Sequence, residues 1–238
     1  MSFRQRLGGE GRAFLASLCD GVMLWKLAPI IPAIAVLPEF AQHVVEIRLG
    51  MFASHDAFAA FGSAPARLSL GSLKVAGFVL AILLAARFWA NRAESARWWS
   101  LAGIGWKQVL LGFFVQVLFS IPGLFDFRLP PSGQLALSVV LFLASLPGLV
   151  LMIGGLLGDR TSGLKDAYRK GWGRALRMAL ITGPVFAVLQ QLHQWNHGFA
   201  LGKPAAAVWG LMIWDALLVG LIATLVGTGS HHGYRGGR

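Results

Sequence analysis

The chain has 238 residues, of which 56% are hydrophobic and only 13% charged, and its mean hydropathy is +0.64. A soluble domain carries roughly 25% charged residues, so a soluble globular protein, a disordered tail and a fibrous repeat are excluded. Lysine and arginine number 21 against 10 acids, a formal charge of +11; the basic residues lie between apolar runs, where they suit anionic headgroups and the positive-inside rule, and no recognition element for nucleic acid accompanies them.

A helix needs about 20 apolar residues to cross the hydrocarbon core. In chain order, the first candidate is 22–45. Its uninterrupted core, 27–37, is short and lies among Pro29, Pro32 and Pro38. Lys26 and the prolines make a poor signal-peptide core, so this span is expected to be retained as an anchor. The lone cysteine, Cys19, is expected as a small buried hydrophobe. The second span, 70–90, carries Lys74 and Arg87 near its ends, where such side chains snorkel. The third, 106–125, holds one amide, Gln116, and the fourth, 134–157, has no charge. The fifth, 176–195, is apolar until Gln190, Gln191, His193 and Gln194. The sixth, 205–226, has Asp215 near its middle.

Six spans with the N-terminus inside place 16 of the 21 Lys and Arg residues on the inner side, in 1–26, 87–107, 158–177 and the segment after Thr228. That bias gives the orientation. The reading is an all-α polytopic transmembrane helical bundle, one integral membrane domain with both termini cytoplasmic and a flexible basic tail over 229–238. Fifteen Arg against six Lys, with no eukaryotic targeting signal, points to a bacterial inner membrane.

The two basic connectors overlay with an offset of 66 residues. Trp98, Leu101, Ala102, Gly105, Trp106 and Val109 fall on Leu164, Ala167, Tyr168, Gly171, Trp172 and Ala175. Each set covers roughly 140° of one helical face. Opposite it in the second connector stand Lys165, Asp166, Arg169, Lys170, Arg174 and Arg177, the pattern of a basic helix lying among anionic headgroups. Asn91 with Glu94 resembles a capping box for the first connector. Leu7, Gly11, Phe14, Leu18, Gly21 and Trp25 form a weaker third copy, with Arg4, Arg6 and Arg12 near it. The expected architecture is therefore three helix hairpins, each preceded by an amphipathic interfacial helix. Trp25, Trp98, Trp106 and Trp172 are the expected interfacial anchors, because an indole is apolar with an N–H that needs a partner.

The stretch Gly158-Asp159-Arg160-Thr161-Ser162-Gly163-Leu164-Lys165-Asp166-Ala167-Tyr168-Arg169-Lys170-Gly171-Trp172-Gly173-Arg174, and the similar approach to Trp106, resemble bacterial six-span membrane proteins. These include the membrane domain attached to some glycerophosphodiester phosphodiesterases. The resemblance spans the topology but only about 20 residues in detail. It implies a fold and no activity, since the soluble phosphodiesterase barrel has no counterpart here.

Among candidate sites, Asp215 stands first. An acid deep in a span costs on the order of 2.5–3.5 kcal/mol on insertion scales, so it should face the bundle or water. It reads either as a proton or cation site or as a structural hydrogen bond, with Gln116 or Trp214 as its partner. Glu39, His43 and Glu46 share one face if their segment is helical; His55 and Asp56 follow, and His193 and His197 are spaced i,i+4. These residue types suit zinc. HxxxH without the Glu of HExxH is a weak signature, however, so the expectation is a solvated interfacial cap and no metal or other cofactor. Gln190, Gln191, His193, Gln194 and Asn196 are expected to end the fifth span in the headgroups, and His231 and His232 to float in the tail. Catalytic motifs are missing: there is no GxSxG, HExxH, P-loop, GxGxxG or CxxC. The leading expectation is a non-catalytic accessory or scaffold subunit binding a membrane partner or anionic lipid. The alternative is a small proton- or ion-coupled transporter or channel with Asp215 and Gln116 lining its path.

Overall fold

The computed structural model describes residues 3–125 and 127–236. Among them there are nine α-helices and no strand: α1 (Phe3–Leu27), α2 (Ile30–Arg48), α3 (His55–Phe61), α4 (Pro65–Ala93), α5 (Trp106–Ser120), α6 (Pro131–Leu156), α7 (Leu164–Lys170), α8 (Trp172–Ala200) and α9 (Ala205–Arg235). Six segments are long and apolar enough to cross a membrane: α2, α4, α5 with its 3-10 extension, α6, α8 and α9. The chain is thus built as a multi-pass membrane protein. Large apolar side chains stand exposed along these helices, among them Leu110, Phe114, Leu135, Val140, Leu180 and Val188. Such surface is tolerable facing lipid and a liability in water.

The first span begins at Ile30 rather than 22, because Pro29 cannot continue α1 and supplies the fixed φ that opens α2. Cys19 is exposed on α1 rather than buried. The side chains of Arg4, Arg6 and Leu7 lie outside the described residues, as does Arg238.

The chain divides into two compact units. One comprises 1–13, 86–180 and 230–238, the other 14–85 and 181–229.

In the first unit, α5 and α6 form a tight antiparallel hairpin. Glycines allow the approach: a Cβ on Gly112 would meet the backbone of Gly148 and Met152, and one on Gly155 would meet Gly105 O at 2.7 Å. Gly105 N donates to Gly155 O at 2.8 Å. Gln116, expected to line a path with Asp215, instead donates to Ser145 O at 2.7 Å and ties α5 to α6. Overpacking a seam like this costs about 1–3 kcal/mol. Gly112→Leu is therefore expected to lower the melting temperature in detergent, whereas Leu110→Ala on the exposed face leaves it nearly unchanged.

The expected interfacial helix of the first connector does not form. Asn91 lies inside α4, fully buried, and donates to Trp98 O and Ser100 O at 2.9 and 3.0 Å. Arg87, expected to snorkel, is also buried and donates to the carbonyls of Ser100, Leu156 and Ala102. A segment whose carbonyls are bound by side chains has no use for a helical ladder, and Ser95 and Gly103 take positive φ there. The second connector is helical only as α7, one short helix; from Trp172 on its residues open α8. The three-copy pattern of interfacial helices is therefore not what the chain builds. The expected tail is also different: 229–235 continue α9, and His231 is buried.

In the second unit, small residues bring α2, α4 and α9 together. Ala35, Ala81, Val219 and Ala223 form one core cluster. Pro38 has no N–H to give the carbonyl of Ile34, and Gly77 of α4 comes close to that oxygen; a Cβ there would lie 2.5 Å from it. Gly50, at φ 71°, ends α2 with a left-handed turn. The following turn then docks: Gly202 N donates to Phe52 O at 2.8 Å, and Phe52 packs with Ala200, Val208 and Met212. This anchors the C-terminal ends of α2 and α8 beside the start of α9.

Candidate functional site

Glu39, His43 and Glu46 project from one face of α2, because spacings of four and three return to the same side of a helix. His193, Asn196 and His197 do the same on α8, Arg67 and Lys74 on α4 are two turns apart, and α9 supplies Asp215. All belong to the second unit. Glu39, His43, Glu46, Asn196 and Asp215 are buried, His43 and Asp215 completely.

Glu46 accepts from Arg67 Nε at 2.8 Å, from Gln42 Nε2 at 2.7 Å and from His43 Nδ1 at 2.9 Å. Glu39 accepts from Lys74 Nζ at 2.8 Å and has His43 Nε2 at 3.4 Å. Asp215 Oδ1 accepts from Asn196 Nδ2 at 2.7 Å, and Oδ2 lies 3.1 Å from His43 Nε2. His193 Nδ1 also stands 2.8 Å from Oδ2, but it is not aligned as a hydrogen bond and is a buried nitrogen without a partner. Both ring nitrogens of His43 face carboxylate oxygens, which accept and never donate. The ring satisfies both only with a proton on each nitrogen.

His197 closes the cluster. Its Nδ1 contacts the His193 carbonyl at 3.1 Å. Its ring centroid is 5.3 Å from that of His43 and 5.0 Å from that of His193, and Phe52 and Phe58 flank it. Three overlapping sets bring potential metal-ligand atoms within 4.8 Å of one another: His43, Glu46 and His197; His193, His197 and Asp215; Glu39, His43 and Asp215. A cavity of about 190 Å³ has Glu39, Lys74, Gln190 and His193 in its wall, beside Phe78 and Val219.

Lysine and arginine alone do not balance the three acids. Glu39 has Lys74 and Glu46 has Arg67, but Asp215 has no lysine or arginine among the described residues. Among the described residues its cationic partners are imidazoles, whose charge is itself a bound proton.

For Glu39, His43, Glu46, His193, Asn196 and His197 these positions correct the expectation of a solvated cap, whereas His55, Asp56, Gln191 and Gln194 are exposed. The acids and histidines of α2 and α8 face inward because each meets a partner on another helix, and Asn196 reaches Asp215 instead of the headgroups. Asp215 is ten residues from the start of a helix that runs to Arg235, about 15 Å in at 1.5 Å per residue. Trp214, a suggested partner, is 47% exposed. Sequence alone does not single out Arg67 and Gln42, and it reads Lys74 as a snorkelling residue. The seven-residue spacing of Arg67 and Lys74 was the available signal.

The other expected contacts fall in the first unit. Lys165, Arg169, Lys170 and Arg174 are exposed, whereas Arg177 is paired with Glu10 at 2.9 Å. Trp106 and Trp172 stand exposed at the starts of α5 and α8, the Trp172 N–H donating to Tyr168 O at 2.8 Å. Trp98 packs with Phe88 and Trp99. Trp25, in the second unit, donates to Thr224 Oγ1 at 3.2 Å.

Asp159 organises the loop before α7. Its oxygens accept from Thr161 N at 2.9 Å, Ser162 Oγ at 2.6 Å and Tyr234 Oη at 2.8 Å. Burial pushes its carboxyl up, but the Ser162, Tyr234 and Thr161 donors outweigh burial and hold it well below the usual carboxylate range. A depressed folded value means stabilisation that is complete above about pH 4, the ordinary Asp value, and is lost as pH falls through the folded value. Hydrogen bonds to a charged group contribute about 1.5–3 kcal/mol. Asp159→Asn should lower the melting temperature at pH 7, and the gap to wild type should narrow on acidification below about pH 4. A gap independent of pH would contradict this role.

No family model, curated protein or solved structure matches the chain.

Proposed function

We propose that this is an integral membrane protein that takes up and releases a cation at the buried Asp215 cluster, as a small ion-coupled transporter does. One observation carries the reading: Asp215 is fully buried, and among the described residues its charged partners are the imidazoles of His43 and His193, with no lysine or arginine. A buried charge without a partner costs several kcal/mol. The balancing charge must then be a proton on His43 or His193, or a bound metal ion, and either can exchange. Ionisable groups kept at such depth commonly mark proton relays and ion pathways. The cavity walled by Glu39 and His193 supports an entry route.

The wider reading places the chain in a bacterial inner membrane with both termini cytoplasmic, which the positive-inside count supports. The cluster then opens outward, since α2 and α8 end there and α4 and α9 begin. The exposed Lys165, Arg169, Lys170 and Arg174 support contact with anionic headgroups. A cavity of about 360 Å³ whose lining includes Thr161, Ser162, Lys170, Arg174 and Tyr234, with Asp166 as its one acid, also favours a second reading, an accessory subunit held by anionic lipid. Cation flux into proteoliposomes, wild type against Asp215→Asn, tests the first.

A further inference from the structure

We infer that the cation is a divalent transition metal of the zinc class, bound by His193, His197 and Asp215 with His43 as the fourth ligand. The inference deepens the cation reading above and rests on it. It reverses the sequence-based expectation of no metal.

The chemistry of the donors selects the ion. Imidazole nitrogen with one carboxylate suits zinc, whereas calcium and magnesium take oxygen cages. His193 and His197 are one helical turn apart on α8, the spacing that lets two imidazoles of one helix share a metal. Asp215 joins them from α9, with ligand atoms within 4.8 Å. Zinc–ligand bonds of 2.0–2.1 Å put tetrahedral ligand atoms about 3.3 Å apart. The His43 Nε2 and His193 Nδ1 contacts to Asp215 Oδ2, at 3.1 and 2.8 Å, are already that close.

The outer partners are those of metal-binding histidines. Such a ring donates its other N–H to a carboxylate or backbone carbonyl, which fixes the tautomer and aims the ligating nitrogen. His43 Nδ1 faces Glu46 Oε2 at 2.9 Å, leaving Nε2 toward Asp215. His197 Nδ1 faces the His193 carbonyl at 3.1 Å, leaving Nε2 with the lone pair. Asn196 holds Asp215 by Oδ1 at 2.7 Å, so that Oδ2 turns to the histidines. His193 Nδ1 is buried, without an aligned hydrogen bond and beside that oxygen. A metal ion satisfies this nitrogen and supplies Asp215 with a fixed positive charge together.

The test is equilibrium zinc binding to the full chain, purified in mild detergent and stripped with a chelator. Bound metal is counted by mass spectrometry, and cobalt(II) serves as a spectroscopic probe. Wild type should bind one zinc per chain, and cobalt should give the intense visible absorption of a tetrahedral site. His197→Ala should weaken binding by about 100-fold or more. His55→Ala, at an exposed histidine outside the cluster, should bind as wild type does. If His197→Ala does not fold, Asp215→Glu decides: it keeps a carboxylate ligand, so it should retain metal with an altered cobalt spectrum. Failure of wild type to bind above the level of His197→Ala, or an unchanged cobalt spectrum in Asp215→Glu, overturns the metal site. Since binding is read in detergent without flux, Asp215-dependent proton flux with no zinc binding would overturn this inference alone. Zinc binding without flux would overturn the transport reading alone.

Discussion

Lys74→Met is expected to destabilise the protein by about 3 kcal/mol, and the double variant Glu39→Gln with Lys74→Met to recover most of that loss. The single change leaves the Glu39 carboxylate almost fully buried, with only the long 3.4 Å approach of His43 in place of the 2.8 Å lysine contact. Removing one partner of a buried ion pair costs about 3–5 kcal/mol, because the charge left behind is desolvated and uncompensated. The lower end applies here, since a quarter of the Lys74 side chain is exposed. The double variant removes both charges and keeps a side chain able to bond His43. Denaturant or thermal unfolding in detergent measures both. Equal losses in single and double variants would mean that Glu39 does not depend on Lys74.

Asp215→Asn is expected to abolish cation flux while leaving the fold intact. The amide oxygen still accepts from Asn196, so the link between α8 and α9 survives, and the cost of an unneutralised charge disappears. What is lost is the site that holds the cation. Proteoliposomes loaded with a zinc- or pH-sensitive dye should show flux with wild-type protein, and no more than protein-free vesicles with the variant. Wild-type flux from a well-folded variant would reduce Asp215 to a structural hydrogen-bonding group. Because Gln116 bonds Ser145 in the first unit, Gln116→Leu should leave flux unchanged, which separates a charge effect from a general loss of packing.

The apolar runs made six membrane-crossing helices legible, and the depth of Asp215 made it the residue to follow. The shared face of Glu39, His43 and Glu46 was also visible, since it needs only helical spacing. Whether that face met water or protein was not. A polar cluster at a span end reads locally as a headgroup cap. Only partners far along the chain, Arg67 for Glu46 and Asp215 for His43, show that it is buried. The first connector failed for a related reason. Its stripe of Trp98, Leu101, Ala102 and Gly105 has helical period, but Arg87 and Asn91 bind the carbonyls that a helix would use. Likewise 229–235 reads as a tail by its glycines and histidines, whereas Tyr234 makes it helix by bonding Asp159, 75 residues away.

Infrared difference spectroscopy of the carboxylate region reads out whether Asp215 exchanges a cation. The purified protein is taken between metal-free and zinc-loaded states, and separately through a pH step. A carboxylate band should move with cation exchange and be absent from Asp215→Asn. A wild-type spectrum in which neither zinc nor protons moves an Asp215 band would contradict that exchange, and would leave the buried cluster as a permanent structural link among α2, α4, α8 and α9.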